Sequence, residues 1–340
     1  MNRARSALWC TLALLALNVL IAARLFRTEF TTTMWSLEGS YIGLARWLIL
    51  NWRNLGWFPL WYGGIPIENA YPPLIHVLVA LIASTTAMTV PHAWHAVTAA
   101  FYCLGPVAMF WLILQLTQSQ WKAILAGSFY SLISPSAFLS SVLRGEVHGG
   151  LGALGIYGIL ALDEGPNIAS IALLMAALAA MRAAIEYRPG WRTVLAVFLS
   201  AAAALTNWLG AMSLALGSIA MLIARKRCEH KRAAMAHLML IGALSYAVAS
   251  PWIPPSDITT VARNAQTVSG SFPMAGPQYV FLAAWIIGAV ALSSILKEKT
   301  RVSEAGRFAF VFLFLMAVPP LGFEYLKIYP LPQPNRYHQA

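Results

Sequence analysis

Apolar residues dominate long stretches of the chain, and short basic or polar segments separate them. Runs of about 17–25 apolar residues are long enough to cross a bilayer as helices. The pattern predicts spans at residues 6–26, 95–116, 123–142, 168–187, 193–208, 209–224, 233–250, 278–296 and 307–323. Two shorter stretches, 74–90 and 149–162, fit a span, an interfacial helix or a re-entrant segment equally well. The sequence therefore predicts an all-α polytopic membrane protein of about 9–11 transmembrane helices, in one domain over residues 1–340.

Two polar interruptions add detail to this pattern. Thr206-Asn207-Trp208 breaks the apolar run 193–224, which is too long for one simple span. We expect two short helices that meet at a polar hinge lining a cavity, because unpaired backbone groups are not tolerated in lipid.

The segment 35–50, WSLEGSYIGLARWLIL, has apolar residues at helical spacing. It predicts an interfacial helix with Glu38 at its start.

Composition supports a membrane protein, since 59% of residues are hydrophobic and only 10% are charged. A soluble domain carries about 25% charged residues. The net charge of +11 does not indicate nucleic-acid binding, because the basic residues form short clusters between apolar runs, as topology signals do. All the main clusters fall on one side if the N-terminus is cytoplasmic. They are Arg3 with Arg5, Arg188 with Arg192, residues 225–232, and residues 297–307. The first helix is expected to remain uncleaved.

This orientation makes 27–73 the first external loop, with further external segments at the end of 143–167 and at 251–277 and an external tail at 324–340. The loop contains WYGGIPIENAYPPL, residues 61–74. Its aromatic residues fit interfacial anchors, and Tyr71-Pro72-Pro73 predicts a rigid extended turn into the next apolar run.

Acidic residues are few, so each external carboxylate can be weighed. Glu38 is a candidate general base or cation ligand, or simply a residue that interacts favourably with a helix dipole. Asp163-Glu164-Gly165-Pro166 has the composition of a turn, but its second carboxylate is not needed for one. Glu38, Asp163 and Glu164 are therefore candidate ligands of a divalent cation, Mg²⁺ or Mn²⁺, or members of a proton-transfer site. Spacing alone does not show that they meet.

Several cations are candidate phosphate ligands. Arg144 and His148 flank Glu146, which fits an anion site or a weak interfacial ion pair. Arg263, Arg336 and His338 leave the same two alternatives. The chain has no Gly-rich nucleotide fingerprint, nucleophile elbow or HExxH motif, which argues against a nucleotide-driven pump or a common membrane protease.

A set of short motifs is distributed along nearly the whole chain. They are Glu38, Trp57-Phe58-Pro59, Gly63-Gly64-Ile65-Pro66, Tyr71-Pro72-Pro73-Leu74, Glu164-Gly165-Pro166, Ala204-Leu205-Thr206-Asn207-Trp208, Arg263-Asn264-Ala265 and Gln333-Pro334-Asn335-Arg336-Tyr337-His338. Their order and spacing resemble the GT-C superfamily of polytopic glycosyltransferases. More narrowly, they resemble the N-terminal part of bacterial membrane proteins labelled 6-pyruvoyl-tetrahydropterin-synthase-related, which are not pterin enzymes. Asn167 stands where that family has His, and Leu37 stands where a second loop carboxylate is usual. Relatives of this kind continue with more spans, so a truncated reading frame or a fragment is one expectation.

The resemblance implies an inverting glycosyltransferase of the bacterial cytoplasmic membrane. Its donor would be a polyprenyl-phosphate-linked sugar held among membrane lipid, and it would act at the outer face without nucleic acid. Glu38 and Glu164 would be the catalytic carboxylates, with or without a divalent cation. The donor phosphate would lie near Arg263 or Arg336, with Arg144, His148 and His338 as further candidates. The residues expected to shape the pocket are Trp61, Tyr71, Pro72 and Asn207.

Two other functions fit the same chain. One is a transporter or flippase of a lipid-linked sugar, with the hinge at Thr206-Asn207-Trp208 as its substrate site. The other is a non-catalytic membrane protein of envelope assembly.

Overall fold

The computed structural model describes residues 3–31, 36–61, 63–133, 144–145, 154–161, 163–186, 190–225, 228–256, 259, 276–298 and 302–326. Within them lie twelve α-helices: α1 Arg3–Ile21, α2 Ser36–Asn51, α3 Leu74–Thr85, α4 Val90–Thr117, α5 Gln120–Leu132, α6 Leu154–Ala161, α7 Gly165–Glu186, α8 Trp191–Ala204, α9 Trp208–Ala224, α10 Cys228–Ala249, α11 Gly276–Glu298 and α12 Glu304–Leu326. One two-stranded antiparallel hairpin joins β1 (Trp57–Phe58) to β2 (Ile65–Pro66).

Six of these helices are long and apolar enough to cross a membrane, namely α1, α4, α7, α10, α11 and α12. The all-α polytopic prediction is therefore confirmed. The predicted pair of short helices is also present, with 14 residues in α8 and 17 in α9. The two ambiguous stretches form only the 12-residue α3 and the 8-residue α6. At about 1.5 Å per residue, neither is long enough to cross alone a hydrocarbon core about 30 Å thick.

Other boundaries differ modestly from the sequence prediction. Helix α1 ends at Ile21 rather than at residue 26, and a single 3-10 turn, Leu25–Arg27, follows it. The predicted span 123–142 begins as α5, which ends at Leu132. Residues 134–143 lie outside the described part of the chain.

Helix α7 is the central element of the bundle, and nearly all of its residues are buried. It packs against α4, α8 and α9 through a surface rich in alanine, and small residues let helices approach closely in membranes. The tightest approach is at Gly210 of α9, where a Cβ would lie 1.6 Å from the Ser170 Oγ of α7. The Ser170 hydroxyl donates to the Ala203 carbonyl at 3.0 Å, so the same residue ties α7 to the end of α8.

The turn between α8 and α9 lies against the end of the predicted first external loop. Asn207 caps α9, because its Oδ1 accepts a hydrogen bond from the Leu209 amide at 2.9 Å. Its Nδ2 donates to the Tyr71 hydroxyl at 3.3 Å, and the Leu74 amide donates to the Leu205 carbonyl at 2.8 Å. The irregular Tyr71-Pro72-Pro73 segment and the polar turn therefore satisfy each other's hydrogen bonds, as irregular backbone near lipid requires.

The hairpin β1–β2 holds the rest of this loop against α2. Gly64 has φ +115°, and a Cβ there would overlap the Trp57 indole, so glycine is required on both counts. Phe58 is buried in edge-to-face contact with Trp47 of α2, with ring centroids 5.4 Å apart. Trp61 also packs edge to face against Phe58, with ring centroids 6.3 Å apart.

The end of α7 carries a group of charged residues that we call the arginine cluster: Arg182, Glu186, Arg225, Glu304 and Arg307. Arg182 Nη1 lies 3.0 Å from the Glu186 carboxylate and 3.2 Å from that of Glu304. Arg307 of α12 is fully buried and donates to the Ala224 carbonyl at the end of α9. A cation at a helix C-terminus satisfies a carbonyl that has no partner inside the helix.

Candidate functional site

Glu38 lies in the first turn of α2, as predicted, but it is only 4% exposed. The ring Nε2 of His95, from the start of α4, contacts its Oε1 closely. The Thr31 hydroxyl donates to its Oε2 at 2.9 Å. Both oxygens of this carboxylate are therefore engaged, which is the usual condition for burying a charge.

The other nitrogen of His95 is also engaged. Its Nδ1 lies 3.1 Å from the Thr28 carbonyl oxygen, which can only accept. A second histidine contacts the same stretch of backbone, since His92 Nε2 lies 2.9 Å from the Phe26 carbonyl oxygen. With an acceptor at Nδ1, His95 carries a proton there, so a second proton is held between Nε2 and the Glu38 carboxylate. Glu38 and His95 thus form an oriented, proton-holding pair.

Asp163 brings a second carboxylate to the same place. It directly precedes the Glu164-Gly165 start of α7, has φ +55° and is 5% exposed. Its carboxylate accepts hydrogen bonds from the backbone amides of Leu37 and Glu38. Asp163 therefore caps the first turn of α2 from a segment about 125 residues away along the chain, and the left-handed conformation is one that Asp tolerates. We call Glu38, His95 and Asp163 the carboxylate cluster.

The two carboxylates differ in their acidity. Burial alone would raise the pKa of Glu38, but the hydrogen bonds from His95 and Thr31 and the charge of His95 outweigh burial, so that pKa lies below its ordinary value. Burial raises the pKa of Asp163, the amides of Glu38 and Leu37 lower it in part, and the Glu38 charge raises it further, so the net shift is upward. Asp163 Oδ1 is buried without a hydrogen-bond partner. A neighbouring pair with pKa values pushed apart is typical of acid–base sites.

Aromatic rings connect the carboxylate cluster to the α8–α9 turn. Trp94, next to His95 in the chain, stacks on Tyr41 with ring centroids 5.2 Å apart. Tyr41 meets Tyr71 edge to face at 5.1 Å, and Tyr71 accepts the hydrogen bond from Asn207. His76 is fully buried between these rings. Tyr71 and Asn207, two of the predicted pocket-shaping residues, are thus in direct contact. The rings of Tyr41 and Trp94 connect this pair to the carboxylate cluster.

The donors described here do not make a complete metal site. Within the described residues, no group of three or more His, Cys, Asp or Glu side chains is placed to hold a metal ion. Both Glu38 oxygens have partners, and Asp163 offers one open oxygen. Mg²⁺ prefers about six oxygen ligands, more than these donors supply, and catalysis with or without Mg²⁺ or Mn²⁺ stays a prediction.

Some of the other predicted site residues lie in the described part of the chain, and the rest lie outside it. The residue that reaches Glu38 is Asp163, while Glu164 directly precedes α7 and its amide donates to the Gly158 carbonyl at 2.9 Å. Pro72 is buried, and Trp61 packs on Phe58. Arg144 is exposed. His148, Arg263, Arg336 and His338 lie outside the described residues, so their predicted phosphate roles stay predictions.

His95 is the site residue that sequence reasoning missed. That reasoning weighed external carboxylates and did not weigh histidines at the ends of apolar runs. The available signal was an ionisable residue inside the apolar run 95–116, since such residues are expensive in membranes and tend to be functional.

No protein-family model, curated protein or solved structure matches the chain. The likeness to GT-C glycosyltransferases therefore stays a prediction from the sequence motifs.

Proposed function

We propose that this protein transfers a sugar from a polyprenyl-phosphate carrier to an acceptor hydroxyl at one face of the membrane. The observation that carries the proposal is the meeting of Glu38 and Asp163, two carboxylates from separate non-spanning segments, at a single buried helix turn beside His95. Acid–base groups buried at the end of a transmembrane bundle suit chemistry on a substrate anchored in the lipid. The order of the sequence motifs supports the same class of enzyme.

The two carboxylates have different roles in this proposal. Glu38 stays ionised because His95 and Thr31 stabilise its charge, so it fixes the geometry of the turn. Asp163 is the better base, since its pKa is raised and its Oδ1 has no hydrogen-bond partner. A base is most effective when its pKa approaches the working pH. Glu38 is the candidate base by its sequence position, and the geometry favours Asp163 for that role.

The chemical step is an in-line displacement. The acceptor hydroxyl gives its proton to Asp163, and its oxygen forms a bond to the anomeric carbon. The bond from that carbon to the phosphate oxygen breaks, and polyprenyl phosphate leaves with the electron pair. The anomeric configuration is inverted. Cations near the leaving phosphate lower the barrier, and the sequence predicts Arg263 and Arg336 for this task.

The test is release of labelled sugar from a panel of radiolabelled polyprenyl-phosphate sugars by the protein purified in lipid. Asp163→Asn and Glu38→Gln are compared with Glu29→Gln, which removes a carboxylate from the same loop at an exposed position. We expect turnover by the wild type and by Glu29→Gln, and loss of turnover in the other two variants. Parallel reactions with chelator and with added Mg²⁺ or Mn²⁺ test the predicted metal requirement. Full activity of Asp163→Asn would remove the proposed base.

A second candidate function is movement of the same lipid-linked sugar across the membrane. It is favoured by the α8–α9 hairpin, whose buried turn residues Thr206 and Asn207 interrupt two short helices. Vesicle assays separate the two functions, because transport moves the labelled lipid between leaflets with its sugar still attached. Movement without cleavage by well-folded protein would replace the transferase proposal.

A further inference from the structure

A groove runs along the surface of α7 between α4 and α8. Its cavity volume is about 500 Å³, and all of its lining residues belong to these three helices. The floor is a row of alanines on α7, including Ala172, Ala176, Ala180 and Ala183. Alanine stripes usually allow another helix to pack closely. Here the mostly buried stripe lines the cavity, while larger exposed side chains such as Leu104 and Leu195 form the rim.

Polar chemistry is concentrated at one end of the groove. Arg192 and Gln115 lie there, and Trp191 beside them is exposed. The Arg192 guanidinium lies 5.2 Å from the centre of the Trp191 ring. Trp191 and Arg192 begin α8, so the N-terminus of this helix also favours an anion. Trp and Arg together at a helix end are typical of the membrane–water interface. One end of the groove is therefore suited to a phosphate, and the remainder to hydrocarbon.

The length of the groove limits what it can hold. Along α4 it extends from Phe101 to Gln115, which is about 21 Å at 1.5 Å per residue. One leaflet of hydrocarbon is about 15 Å thick, half of the bilayer core. A straight groove of this length and volume fits one acyl chain, whereas a long polyprenyl chain would extend far beyond it.

We propose that this groove binds one acyl chain of an anionic phospholipid, whose phosphate pairs with Arg192. The lipid belongs to the leaflet at the Arg192 end, which is the cytoplasmic leaflet in the predicted topology. The bound chain fills the space over the alanine floor and completes the packing of α4, α7 and α8. The site is distinct from the carboxylate cluster, which lies at the other end of α7.

Native mass spectrometry tests this directly. The protein is released from bilayers of phosphatidylcholine mixed with phosphatidylglycerol, and the retained lipid is identified. We expect one phosphatidylglycerol to be retained preferentially. Arg192→Gln should lower that preference about fivefold, the effect of one interfacial cation. Lys297→Gln, which removes an exposed cation at the end of α11, should leave it unchanged.

Substitutions that fill the groove test the proposed binding of the acyl chain. Ala176→Phe should abolish retention of either phospholipid, whereas Ala284→Phe, on an exposed face of α11, should not. Melting temperatures show which variants are folded, and Ala176→Leu serves if the larger side chain disturbs the helices. Undiminished retention by a folded groove-filled variant would overturn the proposal. Displacement of phosphatidylglycerol by an equal concentration of a long-chain polyprenyl phosphate would overturn it in favour of the carrier lipid.

Discussion

The two ends of α7 both bury charge, but they do so with opposite signs and with different partners. Before its first residue, Asp163 joins Glu38 and His95 in the carboxylate cluster. At its last turn, Arg182 and Glu186 belong to the arginine cluster, where Arg182 lies within ion-pair distance of two carboxylates. The arginines there bind carboxylates and a helix-end carbonyl, which is a structural arrangement. Buried guanidinium nitrogens of Arg182, Arg225 and Arg307 also lack a hydrogen-bond partner. In the carboxylate cluster the atom without a hydrogen-bond partner is instead an acceptor, Asp163 Oδ1.

This difference separates residues that hold the bundle together from residues that are available for chemistry. A buried arginine that pairs with carboxylates or a helix-end carbonyl stabilises one conformation, and it does not exchange its proton with a substrate. A buried carboxylate with a raised pKa and an open oxygen contributes less to stability and can accept a proton. We therefore expect substitutions in the two clusters to change different measured quantities.

The largest effect should come from Asp163→Asn. If Asp163 is the base, kcat should fall by about 10²- to 10⁴-fold, while the bundle remains folded because Asn can still accept the amides of Leu37 and Glu38. Turnover of labelled polyprenyl-phosphate sugar measures the loss, and a melting curve checks the fold. A loss of folding in place of activity would place Asp163 with the structural residues and abolish the contrast between the clusters.

The pH dependence of stability should sharpen the contrast within the carboxylate cluster. The folded-state pKa of Glu38 is lowered, so its stabilisation is complete above its unfolded value, about 4.3, and is lost as pH falls through the folded pKa. The folded-state pKa of Asp163 is raised, so ionisation costs stability above its unfolded value, about 3.9, and fully so above the folded pKa. Asp163→Asn should therefore gain stability relative to the wild type as pH rises, and Glu38→Gln should lose it. Denaturation midpoints measured across this pH range show whether each variant gains or loses stability relative to the wild type. The same pH dependence for both variants would contradict the prediction.

In the arginine cluster, Arg307→Met should lower the free energy of unfolding by about 2–3 kcal/mol, because the Ala224 carbonyl loses a charged donor in a buried position. The turnover of the folded fraction should be unchanged. Denaturant titration in detergent measures the stability. Arg232→Met removes an exposed cation and is the matched control. The partly exposed Glu186 gives a second control, since Glu186→Gln should change stability by less than about 1 kcal/mol.

The smallest effect belongs to the turn that connects to the carboxylate cluster through aromatic rings. Asn207→Ala removes the cap of α9 and the hydrogen bond to Tyr71, and it should lower stability by about 1 kcal/mol. Asn54→Ala, at an exposed loop position, is its control. Equal melting temperatures for the two variants would show that the turn is held by packing alone.

Much of the fold followed from apolar run lengths, because a bilayer demands helices of a nearly fixed length. The hinge at Thr206-Asn207 and the helix containing Glu38 followed from local breaks and periodicity in the same way. The contact between Asp163 and the α2 turn did not, since it joins segments about 125 residues apart and depends on how α7 packs. The turn composition of Asp163-Glu164 gave no reason to choose the first carboxylate over the second. His95 looked like one more residue of an apolar run.

The short α8–α9 hairpin has a consequence for the lipid around it. At about 1.5 Å per residue, its helices are about 21 Å and 26 Å long, less than a hydrocarbon core of about 30 Å. Lipids beside a short hydrophobic element thin to match it. We therefore expect the bilayer to thin beside the polar turn that contacts Tyr71, which would bring lipid headgroups deeper there and closer to the aromatic rings near Glu38.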